Sequence, residues 1–73
     1  MPATLPAMPI DTDAIRAARE RAGLTQEEAA KKAGLSGKQA WYKIETGRQS
    51  DIALSTLERI AAALGVKAKD LLK

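Results

Sequence analysis

The 73-residue chain has no cysteine, no histidine and no phenylalanine, and only one tryptophan and one tyrosine. Without Cys or His it can form no disulfide, offers no thiolate nucleophile or imidazole base, and cannot assemble a zinc site of the usual ligands. No cofactor or metal is expected. Long apolar runs are missing as well, and nothing approaches the roughly 18 apolar residues that mark a membrane span. A carboxylate enzyme would need a cleft, which a chain this short rarely builds, and self-association commonly supplements so small a core. The expectation is a binding module and not an enzyme.

Apolar residues are 45% of the chain, but fifteen of those thirty-three are Ala and only six are Val or Ile. That mixture favours helix over sheet. Residues 1–10 hold all three prolines and no charged side chain, and read as a loose leader preceding a single domain over 11–73. The leader lacks the basic start of a secretory signal, so a soluble cytoplasmic protein is expected. It also lacks a Lys or Arg with which to enter a minor groove, and is assigned no binding role.

Helix signals then recur. A first helix opens near Asp11 or Thr12, runs through Ile15, Ala18 and Ala22, and stops at Gly23. Thr25 with Glu28 forms a capping box for a second helix that ends at Gly34. Ser36 can cap a third, from about Gly37 to Glu45, which Gly47 closes; Arg48 to Leu54 reads as a loop. Ser55 with Glu58 forms another box, followed by Leu57, Ile60, Ala61 and Leu64 at the spacing of a buried stripe, and Gly65 ends this fourth helix. A short fifth helix, about Lys69 to Leu72, has no good cap before it. No repeat and no strand pattern is evident.

Two charged residues fall where the helical period calls for apolar ones. Arg19 lies on the stripe of Ile15, Ala18 and Ala22, and Glu45 lies four residues after Trp41 beside Ile44. Burial of an unpaired charge is costly, so one reading pairs them; the other has both tips reach solvent while their stems pack. The period alone does not choose.

The stretch Arg19 to Val66, with GLTQEEAA, GLSGKQAWYKIETG and LSTLERIAAALGV, resembles the helix-turn-helix domains of the phage-repressor (Cro/CI, or XRE) family. That stretch is about two thirds of the chain. It implies an all-α, compact five-helix, lambda-repressor-like fold, with the second helix crossing the DNA backbone and the third in the major groove. It also implies that Arg19 pairs with Glu45, and that Gln26 touches the DNA backbone or a base. Three departures stand out. Ala29 and Ala33 replace the family's leucines while Trp41 replaces a smaller aliphatic, so the indole is expected to fill the vacated volume. One extra residue lies between Gly34 and Glu45, expected in the turn at Ser36-Gly37. Lys67 stands where the family often has a Ser or Thr cap.

A wheel of the third helix with Trp41 inward puts Gly37, Ala40, Ile44 and Glu45 on the same half. Gln39, Tyr42, Lys43 and Thr46 cluster opposite, flanked by Lys38. A Gln amide can bond adenine twice, a Lys can donate to guanine O6 or N7, and a Tyr can touch a thymine methyl or a phosphate. The base-contacting candidates are therefore Lys38, Gln39, Tyr42 and Lys43. The plain alternative is a solvated polar face, but Lys31 to Arg48 holds five basic residues against one acidic. Backbone contacts are expected from Gln26, Ser36, Gly37, Thr46 and Arg48, through helix N-termini and full charges. Lys31 and Lys32 are assigned to solvent.

These readings point to duplex DNA as the partner and to a transcriptional regulator, a repressor acting as a homodimer, since one short helix reads few bases and two copies about 34 Å apart read twice as many. The alternative is a protein-interaction module such as the antitoxin of a toxin-antitoxin pair, with a protein partner held on an apolar surface from Leu71, Leu72 and the leader.

Overall fold

The computed structural model describes residues 10–49 and 52–73. Four α-helices, α1 (Thr12–Arg21), α2 (Gln26–Lys32), α3 (Lys38–Glu45) and α4 (Leu54–Leu64), are followed by a 3-10 turn, Ala68–Leu71. The domain is all-helical; among the described residues the one strand-like feature is a single antiparallel bridge between Ile10 and Leu72. No helix among them is long and apolar enough to cross a membrane.

Local chemistry explains most boundaries. Asp11 caps α1, its Oδ1 accepting from Ala14 N at 3.1 Å. At α2 the box is complete: Thr25 Oγ1 accepts from Glu28 N at 3.0 Å and Glu28 Oε1 accepts from Thr25 N at 2.9 Å. Gly34 turns the chain out of α2 at φ +75, a left-handed conformation that strains any side-chain-bearing residue.

Four local expectations are corrected. Ser36 does not cap α3; the helix begins at Lys38, one residue later than expected, with Gly37 at the N-cap and no side-chain bond there. Ser55 and Glu58 form no box, because α4 starts already at Leu54 behind Ala53, which places Ser55 inside the first turn. Ala22 is exposed, since it is the C-cap of α1 and no longer on the inward stripe. The fifth helix is a 3-10 turn that starts at Ala68, and Asp70 supplies the missing cap by accepting from Lys67 N at 3.3 Å.

α3 packs on α1 and α2, α4 closes on α2 and the terminal turn, and that turn returns to α1. Ile15, Ala29, Ala33, Trp41, Leu57, Ile60 and Leu71 share the core enclosed between them. Trp41 is fully buried, in the same core cluster as Ala29 and Ala33. The indole is accommodated at a cost: its Nε1 is buried with no hydrogen-bond partner among the described residues. Leu71 is buried in the core, in a turn that packs against α1 and α4, and Leu72 is half-buried. Ile10, assigned to the leader, packs against the core, and Asp11 N donates to Leu71 O at 2.8 Å. The remaining leader residues, 1–9, lie outside the described residues.

Candidate nucleic-acid interface

α3 is an amphipathic helix whose two sides are separated by burial. Trp41, Ile44 and Glu45 point into the core, and Ala40 and Gly37 are half-buried. Lys38, Gln39, Tyr42, Lys43 and Thr46 are all exposed, on the outward face that the wheel describes. The helix is continuous from Lys38 to Glu45.

An ion pair locks this helix in orientation. Arg19 Nε donates to Glu45 Oε1 at 3.0 Å, with the two side chains only 13% and 4% exposed, which decides between pairing and snorkelling. Arg19 Nη1 also donates to Leu24 O at 2.9 Å, tying α1 to the entry of α2. Gln26 Nε2 donates to the other Glu45 oxygen at 2.6 Å, an engagement that no sequence period signals.

The remaining candidates differ in what they leave free. Arg48 lies over the Tyr42 ring, its guanidinium carbon 5.9 Å from the ring centroid, so these two exposed residues sit side by side. Thr46 Oγ1 donates to Tyr42 O at 2.7 Å; its proton is committed, and only lone pairs face outward. Ser36 is exposed next to the uncapped start of α3, where the first turn holds no acidic residue. The start of α2 is different: the Thr25-Glu28 box already satisfies donors there, and Glu27 and Glu28 share the turn. The two bonds from Thr25, backbone first and hydroxyl second, hold the Glu28 carboxyl below its ordinary value of 4.5.

Chemically, the outward face of α3 offers an amide, an ammonium and a phenol at helical spacing, next to a guanidinium and a helix start with unspent N–H groups. Such a set suits groove edges and phosphates. The helix-turn-helix domain family matches residues 13–72. The chain belongs to that family. It is a DNA-binding domain of the transcription-regulator class. The chain is also similar to a solved structure described as a hypothetical transcription factor, NHTF, from Neisseria, with 38% identity and a TM-score of 0.80 over 100% of this chain and 86% of that one. No curated protein matches the chain.

Proposed function

We propose that this helix-turn-helix domain, of the Cro/CI type, reads a specific duplex DNA site with α3 and acts as a cytoplasmic repressor, as a homodimer on a two-fold operator. The observation that carries the reading is the outward face of α3, where Gln39, Tyr42 and Lys43 stand exposed on a helix that Trp41, Ile44 and Glu45 pin to the core. In this reading Lys38, Gln39, Tyr42 and Lys43 meet base edges. Ser36, Gly37, Thr46 and Arg48 meet the backbone around them, with Thr46 the weakest because its proton is spent, and Gln26 meets the backbone or a base from the start of α2. Exposed Tyr42, 44% accessible, gains a purpose against a thymine methyl or a phosphate. The dimer follows from the number of bases that one eight-residue helix can reach.

Selection of bound sites from a random duplex pool tests this reading. A two-fold sequence with half-sites one DNA turn apart is the expected result, and no enrichment overturns it. On the selected site log affinity should fall linearly with log salt, and Arg48→Ala should flatten the slope by about 0.9 while weakening all sequences alike. An unchanged slope removes Arg48 from the interface.

A further inference from the structure

Glu45 divides its two carboxylate oxygens between two elements. Oε1 takes Arg19 Nε of α1 and Oε2 takes Gln26 Nε2 of α2, at 3.0 and 2.6 Å. The Glu45 side chain is 4% exposed, and hydrogen bonds to a charged acceptor shielded from water are strong. Gln26, in contrast, is half-buried and lines an open cleft with Thr25, Glu27 and Lys38, where the start of α2 approaches the start of α3. A glutamine there would ordinarily rotate about three bonds and present either end of its amide. The bond to Glu45 removes both freedoms, since only the amide nitrogen can donate to a carboxylate. Its second N–H and the carbonyl Oε1 hold no partner among the described residues, and the residue lines the cleft.

We infer that Glu45 is a positioning residue for DNA recognition, holding Gln26 as a pre-oriented amide that offers DNA one donor and one acceptor in fixed places. The inference rests on the reading under Proposed function and deepens it. Phosphate oxygens accept and never donate, so an outward carbonyl is useful only against a base amino group, whereas a free N–H serves a phosphate or a base alike. A Gln26 released from Glu45 keeps its reach but loses its orientation. The ion pair that fixes the helix thereby also fixes part of the readout, by sparing the complex the cost of ordering the amide at the moment of binding.

The test uses the full chain and four proteins: wild type, Gln26→Ala, the paired replacement Arg19→Met with Glu45→Leu, and all three changes together. The paired replacement removes both charges at similar volume, the kind of exchange that commonly preserves folding. Affinity is measured on the selected site and on a scrambled duplex. Gln26→Ala and the paired replacement should each reduce the ratio between the two by about fivefold to a hundredfold, the range of one base contact, and combining them should add nothing. An equal further loss from Gln26→Ala in both backgrounds overturns the inference, and so does a paired replacement that weakens both duplexes alike. If the replacement unfolds the domain, side-chain amide exchange of Gln26 in the free wild type decides: one slowly exchanging proton is expected, and two fast ones overturn it. A wild type with no sequence preference brings down the functional reading itself, whereas a discriminating wild type with discriminating variants brings down this inference alone.

Discussion

The two faces of α3 lie within one helical turn of each other and do opposite work. Inward, Trp41 and Ile44 are 0% and 3% exposed, and their contacts exist whether or not anything is bound. Outward, Gln39 and Lys43 hold no partner among the described residues and have rotamers to lose and hydrogen bonds to gain. The difference teaches that stability and recognition are separable by substitution across this helix. Glu45 is where they meet, because it faces inward yet holds Gln26.

The largest expected effect tests the inward face. Trp41→Ala should cost about 3 to 5 kcal/mol in denaturant unfolding, enough to unfold a domain of this size. Trp41→Phe should lose much less, since it leaves a smaller void and removes the unpartnered indole N–H. A folded Trp41→Ala that loses only DNA binding would exchange the two faces.

Next in size is the ion pair. Glu45→Ala or Arg19→Ala alone should cost about 3 kcal/mol, because each strands a shielded partner, while the apolar replacement of both should cost less than either. A thermodynamic cycle without coupling would return both side chains to solvent and leave α3 free to turn.

The outward face gives the third prediction. Gln39→Ala should weaken binding to the best site by about 1 to 3 kcal/mol and relax preference at one base pair per half-site, with thermal stability unchanged. Lys31→Ala, on an exposed face of α2, is the control and should leave that preference intact. Equal weakening on matched and scrambled DNA by Gln39→Ala would mean that Gln39 positions the helix without reading it.

The smallest effect separates the starts of α2 and α3. Glu28 has a lowered folded value, so the unfolded chain takes up its proton first as pH falls. The associated stability is present above about 4.5 and is lost as pH drops through the lower folded value. Glu28→Gln should remove this part of the acid dependence in melting curves recorded between neutral pH and the acid range. α3 has no side-chain cap to titrate, so a Ser36→Ala variant should melt like wild type across the same range.

Much of this architecture was legible because it is local. The Thr25-Glu28 box, the stripe of Leu57, Ile60, Ala61 and Leu64, and the glycine after α2 each depend on residues within a few positions of one another, where spacing is chemistry. The outward set on α3 was legible for the same reason, once Trp41 was taken as inward. Ser36 and Ser55 misled because a cap also requires the chain to enter the helix at that residue. Packing of α3 and α4 moved the entry to Gly37 and Ala53.

The sequence by itself determined an all-helical chain of short amphipathic segments, with one inward and one outward side to α3. Only the tertiary structure decided that Arg19 reaches Glu45 across 26 positions, that Gln26 takes the second carboxylate oxygen across 19, and that Arg48 settles over Tyr42. It also buried Leu71 and gave the terminal turn its cap. The physical reason is range: periodicity and capping act within a turn or two of helix, whereas a carboxylate's choice of donors depends on which helices the core has already brought together.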